Sequence, residues 1–207
     1  CTVRCRAEES SVTVNSGAVL GGTGKITGAV TVSAGGHLAP GDNGIESLDV
    51  GSITFASGSI LDFELNTVGG VDTSDLLNVT TTNGLTINPS TLNLTNAAGM
   101  TGGFYTLIDY AGTLNGSLGN ISLGTVPAGF TYSLFNDTVG KTIQLEVTAP
   151  GDFNHDGTVD GGDYVVWRKG LGTKYTAADY ETWRAHFGQT YTPGAGAQLS
   201  AVPEPAT

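Results

Sequence analysis

Side chains that can hold a metal ion are concentrated in one short stretch of this sequence, DFNHDGTVDGGD at residues 152–163. The stretch contains four aspartates and one asparagine, although only 13% of the 207 residues are charged. Carboxylate, amide and backbone carbonyl oxygens are the ligands that Ca²⁺ prefers, and it takes several of them from a loop that wraps around it. The composition of this stretch therefore predicts a calcium site.

The spacing supports this interpretation, because it is that of a twelve-residue EF-hand-type loop that begins at Asp152. Gly157 falls at position 6, where the chain must turn sharply, and Val159 falls at position 8, where it can enter a small core. Asp163 stands at position 12 in place of the usual glutamate. The expected ligands are the side chains of Asp152, Asn154, Asp156 and Asp163, the backbone carbonyl of Thr158, and Asp160 through a water molecule.

A solvated turn rich in Asp, Asn and Gly is the alternative interpretation of residues 152–163. Without a cation, the carboxylates of one loop repel each other by roughly 1 kcal/mol per close pair in water, and by more at intermediate dielectric. A divalent ion reverses the sign of that repulsion. Six matching positions make calcium binding the stronger hypothesis, with Ca²⁺ as the expected cofactor.

Two short helices with the same pattern are predicted after this loop. GDYVVWRKGLG at residues 162–172 matches ADYETWRAHFG at residues 178–188 with an offset of 16. Each has large apolar residues at i, i+3 and i+7, which make one apolar helix face. The expected N-caps are Asp163 and Asp179, the expected C′ glycines are Gly172 and Gly188, and the expected faces hold Tyr164, Trp167 and Leu171, and Tyr180, Trp183 and Phe187.

A calcium loop followed by a helix, without the entering helix of an EF-hand, resembles a type I dockerin. The residues that carry the resemblance are DFNHDGTVDGGD and the twin DYxxWR helices, over roughly residues 151–190. The resemblance implies a secreted module that docks to a cohesin-like protein in a calcium-dependent way. The sequence departs from the family twice. TKYTAA ahead of Asp179 lacks the Asp and Asn ladder of a second site, and Gly161 and Gly162 stand where recognition residues are usual.

The preceding region, residues 11–149, carries a repeat of short alternating strands and glycine turns. SVTVNSGAVL at 11–20 is echoed by AVTVSAGGHL at 29–38 and SITFASGSIL at 52–61, and more loosely by GLTINPSTLNL at 84–94. Alternation of β-branched and small polar residues predicts strands with one buried face. A period of roughly 20 residues is typical of a solenoid. We expect a solenoid closed by antiparallel hairpins around NDTVG, with an antiparallel β-sandwich as the alternative.

The same region resembles the autotransporter-associated β-strand repeats of bacterial surface proteins. The motif that carries the resemblance runs from the LGGTG turn at residues 20–24 to the LAPG turn at residues 38–41. The match is good over residues 11–50 and weaker as far as residue 149. The resemblance implies a right-handed parallel β-helix at a cell surface, with no common catalytic activity.

Composition and charge exclude several functional classes. The net charge is −11, and between Ala7 and Ala149 the only basic side chains are Lys25 and Lys141. A nucleic-acid binder needs a basic patch, and the sequence has none. Binding to anionic lipid is disfavoured for the same reason. No apolar run approaches the length of a membrane span.

The sequence does not predict an enzyme. Asp62 and Glu64 are expected to lie together on a solvated strand face, whereas a glycosidase needs two carboxylates on opposite sides of a cleft. Asp72 and Asp75 are expected to cap a turn. The three histidines show no order typical of a catalytic triad.

The ends of the sequence carry weaker signals. Cys1 and Cys5 have no His or further Cys close by, so they predict no metal site. VPEPAT at residues 202–207 resembles the start of a PEP-CTERM sorting signal, which with the other modules implies a protein of planctomycete-like bacteria. The expected organisation is an irregular segment at 1–10, the β-solenoid at 11–149, the dockerin-like module at 150–190, and a linker with a truncated sorting tail at 191–207.

These features together predict a non-catalytic protein that is secreted or exposed at the bacterial cell surface. Its module is expected to bind one calcium ion and to dock to a cohesin-like protein or another cell-surface component. The first alternative is the non-catalytic C-terminal portion of a larger carbohydrate-active enzyme of polysaccharide catabolism. The second alternative is an adhesin that binds a polysaccharide directly.

Overall fold

The structure is a computed structural model that describes residues 11–41, 44–68, 71–97 and 99–191. It is mainly β with two short α-helices, which confirms the mainly β fold class. In the described part of the chain, neither helix is long and apolar enough to cross a membrane. The segment predicted to be irregular at residues 1–10, with its two cysteines, and residues 192–207 of the predicted tail lie outside the described residues.

The strands of the described residues form two larger sheets and one small hairpin. The first sheet has the order β1-β3-β5-β9-β12-β16-β15, with β10 beside β5 and β13 beside β10; the second has the order β14-β11-β6-β4-β2; and β7 pairs with β8. The elements are β1 (Val12–Val14), β2 (Val19–Gly22), β3 (Gly24–Val32), β4 (His37–Pro40), β5 (Ser47–Phe55), β6 (Ser59–Leu65), β7 (Thr67–Val68), β8 (Val71–Asp72), β9 (Leu76–Val79), β10 (Leu85–Ile87), β11 (Ser90–Asn96), β12 (Gly103–Tyr110), β13 (Asn115–Gly116), β14 (Ile121–Leu123), β15 (Thr131–Asp137), β16 (Thr142–Thr148), α1 (Gly161–Gly170) and α2 (Ala177–His186), with one 3-10 turn at Leu118–Asn120.

The repeats found in the sequence lie side by side in parallel register. In the first sheet Val12 pairs with Val30, and Val30 pairs with Ile53. In the second sheet Leu38 pairs with Leu61 in the same way. All of these pairs are parallel, so the alternative of an antiparallel β-sandwich is wrong for these strands.

The inward residues of the paired strands form one hydrophobic core to which both sheets contribute. Alternate residues of β6 are buried, as the sequence pattern predicted, and Leu61 and Phe63 are each 1% exposed. Burial of apolar area stabilises by roughly 25 cal/mol per Å², so this stacking is the main stabilising contribution to the β region. Two buried polar residues of neighbouring strands also lie opposite each other: Ser59 pairs with Ser90, and their hydroxyl oxygens are 3.0 Å apart.

An antiparallel hairpin forms one edge of the first sheet, as predicted around NDTVG. β12 is parallel to β9 on one side and antiparallel to β16 on the other. β15 then pairs antiparallel with β16. The hairpin therefore covers β12, whose edge would otherwise expose a row of unpaired backbone groups.

A bulge in β3 brings the chain unusually close to Gly51 of β5. The pairing of these strands shifts register between Ile26 and Ala29, so two residues of β3 face one residue of β5. A Cβ atom added at Gly51 would lie 2.2 Å from the carbonyl oxygen of Thr27. Only glycine fits there without a shift of the backbone.

Replacing Gly51 with alanine is expected to destabilise the protein by roughly 1–3 kcal/mol, the usual cost of overpacking a fixed contact. Urea unfolding followed by circular dichroism measures this change. Gly44→Ala is the matched control, because a Cβ at Gly44 meets no described atom within 4 Å. Equal free energies of unfolding for the two variants would contradict the close contact.

Asp75 does not cap a turn, as the sequence suggested, but is buried between strands. It is 1% exposed, and its oxygens accept the N–H of Glu46 at 3.2 Å and the N–H of Glu64 at 2.8 Å. Burial raises the pKa of its carboxyl to about 6, although the two N–H donors act in the opposite direction. Asp72 does take the predicted role, since it accepts the N–H of Ser74 at 2.9 Å.

The raised pKa of Asp75 makes stability depend on pH. The pKa rises from 3.8 to about 6 on folding, so the contribution of this carboxyl to stability is full below about pH 4 and is lost as the pH rises through 6. In the unmodified chain, we expect the free energy of unfolding to fall between about pH 4 and 7.5. In Asp75→Asn we expect this fall to be ~1–3 kcal/mol smaller.

Chemical unfolding at the two pH values, with a chelator present, measures this difference. Asp75→Asn also loses one acceptor for a backbone N–H, so the pH dependence is compared and not the absolute stability. Asp109→Asn, at an exposed position, is the control and should keep the original pH dependence. The same pH dependence in Asp75→Asn would show that this buried carboxyl does not control it.

Candidate calcium-binding loop

The loop predicted to bind calcium connects β16 to α1 and is shaped by residues with positive φ. Gly151 has a φ of +87° and Gly157 a φ of +86°, in the left-handed region that favours glycine. Gly157 therefore makes the sharp turn expected at position 6. His155 also has a positive φ, of +60°, and is exposed.

Two of the expected ligands, Asp152 and Asp163, are buried carboxylates. Asp152 is 1% exposed and Asp163 is 0% exposed. Asp152 accepts the N–H of Asp156 at 3.1 Å and the N–H of Gly157 at 2.9 Å. Asp163 accepts the N–H of Asn154 at 3.0 Å. The first and last positions of the loop therefore both point into its interior.

The other expected ligands lie at the exposed rim of the loop. Asp156 accepts the N–H of Thr158 at 2.9 Å and the side-chain amide of Asn154 at 2.7 Å. Asp160 is exposed and accepts the N–H of Gly162 at 2.6 Å. Among the described residues no group of three or more His, Cys, Asp or Glu is arranged to hold a metal ion. The loop carboxylates accept N–H groups of the loop instead.

The chemistry and charge of the loop fit a calcium ion. All six expected ligands are oxygen donors, as Ca²⁺ requires. Within the described residues, the two ion pairs both lie outside the loop, so no Lys or Arg side chain is paired with its carboxylates. Burial raises the pKa of Asp152; the N–H of Gly157 and the charge of His155 act against this, and the charges of Asp163 and Asp156 add to it. Burial of carboxylates that repel one another is costly, and a divalent cation would offset that cost.

The two helices begin earlier than predicted. Asp160 and Thr176 are the N-caps, and the predicted N-caps Asp163 and Asp179 lie at N3. The reason is a capping box, in which the N3 carboxylate accepts the N–H of the cap residue. Asp163 accepts the N–H of Asp160 at 2.8 Å, and Asp179 that of Thr176 at 2.7 Å. Asp163 thus closes the loop and starts the helix at the same time.

The aromatic faces of the helices pack against each other as predicted, with one exception. The rings of Tyr164 and Trp183 are 5.4 Å apart, and those of Trp167 and Tyr180 are 5.1 Å apart. Leu171 is not part of this face, because it is the C-cap residue of α1 and is 37% exposed. The predicted C′ glycines are confirmed at Gly172 and Gly188, with φ of +84° and +81°.

The loop also pairs with the chain that follows α2, a contact that the sequence did not predict. The N–H of Val159 donates to the carbonyl of Gln189 at 2.8 Å, and the N–H of Tyr191 donates to the carbonyl of Gly157 at 2.7 Å. Val159 is 0% exposed, as expected for position 8. Residues 188–191 border the predicted linker, and QTY carries no repeat or alternation that indicates a strand.

Asp62 and Glu64 lie together on the partly exposed outer face of β6, as predicted, and Asp62 has side-chain partners there. Its carboxylate lies 2.6 Å from Nδ1 of His37 and accepts the side-chain amide of Asn93 at 2.7 Å. Asp49 accepts the side-chain amide of Asn78 at 2.8 Å in the same manner. These contacts join the outer faces of neighbouring strands.

Comparison with known proteins assigns no family: no family model matches the chain, and no curated protein matches it significantly. The resemblances to autotransporter-associated repeats, type I dockerins and PEP-CTERM signals therefore stay predictions from the motifs.

Replacing Asp163 with alanine is expected to destabilise the helices even in the absence of calcium. The change leaves the N–H groups of Asn154 and Asp160 without their acceptor in a partly buried place, at a cost of roughly 1–3 kcal/mol. Asp179→Ala is the matched control, because Asp179 has the same N3 position in α2 but is more exposed. Urea unfolding in a chelator, followed by ellipticity at the helix band, should show the larger loss for Asp163→Ala. Equal losses would contradict a special role for the buried carboxylate.

Proposed function

We propose that residues 152–163 bind one Ca²⁺ ion and that residues 150–190 form a calcium-dependent docking module. The observation that carries the proposal is the burial of Asp152 and Asp163 in one loop, at 1% and 0% exposure, with no Lys or Arg of the described residues paired to either. The alternative of a solvated turn fits this burial less well, because such a turn would leave its carboxylates exposed to water.

The remaining expected ligands support the same proposal by their position. Asn154 and Asp156 lie at the exposed rim, where they can turn from each other to an ion. The N–H of Thr158 points to the Asp156 carboxylate, so the Thr158 carbonyl faces the same side of the extended chain. In the proposed complex, Asp152, Asn154, Asp156, Asp163 and the Thr158 carbonyl hold the ion, and Asp160 acts through water.

The module carries an apolar surface that a protein partner can cover. Tyr164 is 39% exposed, Val165 48% and Leu171 37%, all on or next to α1. Exposed apolar side chains of this kind can contribute to an interaction site. We assign docking of a cohesin-like protein or another cell-surface component to this side of the module.

The β region is proposed to be a right-handed parallel β-solenoid without catalytic activity, secreted or exposed at a bacterial surface. Support comes from the parallel pairing of equivalent repeat positions, as in Val12 with Val30 and Val30 with Ile53. Further support comes from the outer polar residues, such as Asp49 and Asn78, which bond across strands. Each repeat can bury its inner face only against the next, as in other solenoids.

Calcium titration of the full chain by calorimetry tests the proposal. We expect one ion per chain with a dissociation constant of roughly 10⁻⁶–10⁻³ M, together with a higher melting temperature of the helical signal. Asp156→Ala should weaken binding at least tenfold, because it removes one charged ligand from the exposed rim with little loss of packing. Asp179→Ala, which changes a similar carboxylate outside the loop, should bind like the unmodified chain.

No heat of binding at millimolar calcium, with no change in melting temperature, would overturn the calcium site. Equal loss of binding in Asp156→Ala and Asp179→Ala would place the ion elsewhere. Magnesium at the same concentration provides a further control, since the long flexible loop favours the larger ion.

A further inference from the structure

The calcium loop is held from behind by a short backbone ladder. Val159 and Gln189 are joined by an N–H···O bond of 2.8 Å, and Tyr191 and Gly157 by one of 2.7 Å. These bonds flank Thr158, which pairs with Thr190 as an antiparallel bridge. Neighbouring residues of an extended chain point their backbone groups to opposite sides. The ladder therefore fixes the Thr158 carbonyl on the loop side, where the proposed calcium ligand belongs.

Tyr191, at the end of this ladder, connects the loop to the β region. Its hydroxyl donates to the carbonyl of Pro150 at 2.7 Å, next to the start of the loop. Its ring lies 5.2 Å from the ring of Phe130, which packs against the core of the β region. Burial raises the pKa of Tyr191 to about 12, and the nearby charge of Asp152 adds to the rise. The tyrosine therefore contacts the chain just before the loop and the β region at once.

The loop also touches the β region directly. A Cβ atom added at Gly102 would lie 2.9 Å from Nδ1 of His155, and one added at Gly157 would lie 3.6 Å from the methyl group of Thr101. We call these contacts, together with the ring pair of Phe130 and Tyr191, the module interface. Two points of the calcium loop, at positions 4 and 6, thus lie close to residues 101–102, just before β12.

From these contacts we infer that calcium binding in the loop holds the helical module against the end of the β region, through the module interface. The inference rests on the proposed calcium site and assigns it a role inside the chain, in addition to docking of a partner. An ion that orders residues 152–163 also orders the Thr158 carbonyl, and with it the ladder to Tyr191. Conversely, an intact module interface holds the loop in the shape that binds the ion.

Such coupling is reciprocal, so damage to the module interface must weaken calcium binding by the same factor by which calcium strengthens the interface. Phe130→Ala removes the ring pair while every proposed calcium ligand stays in place. Calorimetry on the full chain should show a calcium affinity roughly fivefold lower or more. Phe135→Ala is the matched control, because Phe135 follows in the same hairpin and its ring pairs only with Phe104 among the described residues.

Tyr191→Ala is the second variant, and it lies outside the core of the β region. It is expected to lower calcium affinity at least as much as Phe130→Ala, since it removes both the ring pair and the hydrogen bond to Pro150. Hydrogen exchange of the full chain gives an independent readout. Calcium should slow exchange at residues 157–159 and 189–191 in the unmodified chain, and should do so less in either variant.

The outcomes separate the two proposals. If the unmodified chain binds calcium and both variants bind with unchanged affinity, the calcium site stands and the coupling to the β region is wrong. If the unmodified chain binds no calcium, the site and the coupling are both wrong. A circular dichroism melt of each variant establishes whether its β region is folded. If Phe130→Ala does not fold, the calcium affinity of Tyr191→Ala alone tests the coupling.

Discussion

In-register parallel pairing between successive repeats is the constraint on which the rest of the structure depends. A single repeat cannot bury its own inner face, so Val32, Phe55 and Ile87 reach 0% exposure only because their strands lie side by side. The same register places outer polar residues opposite one another, which is why Asp49 meets Asn78. Repetition therefore determines the inner and the outer surface of the β region together.

β16, which is antiparallel to both of its neighbours, links the β region to the module. β16 leads through the buried Ala149 into the loop, so the buried Asp152 follows almost directly after the last strand. The module itself has a small core, and α2 contains no fully buried residue. A unit of about 40 residues needs more than such a core to be stable. Its loop, its ladder and the β region beside it supply that additional stability.

Features that repeat could be predicted from the sequence, whereas features that depend on single distant contacts could not. The pairing of Val12 with Val30 follows from matching motifs. The burial of Asp75 does not, because its donors, Glu46 and Glu64, are 29 and 11 residues away along the chain. The spacing of the calcium loop was visible, but Asp160 and Asp163 are both suitable cap residues, so composition alone placed the N-cap one turn too late. The strand-like contact of residues 188–191 has no periodic signal.

Because an ion stabilises only the states that bind it, calcium would stabilise every contact that is lost when the loop opens. Those contacts lie on two sides of the module. On one side are the ladder and the ring pair of Tyr191 with Phe130. On the other is α1, which begins at the Asp160 and Asp163 capping box and presents Tyr164 and Val165 to solvent. Because α1 starts from the loop, the binding of a partner to α1 would depend on the ion. The contact of the module with the β region would depend on the same ion. Attachment within the chain and docking to a partner would then have the same calcium dependence.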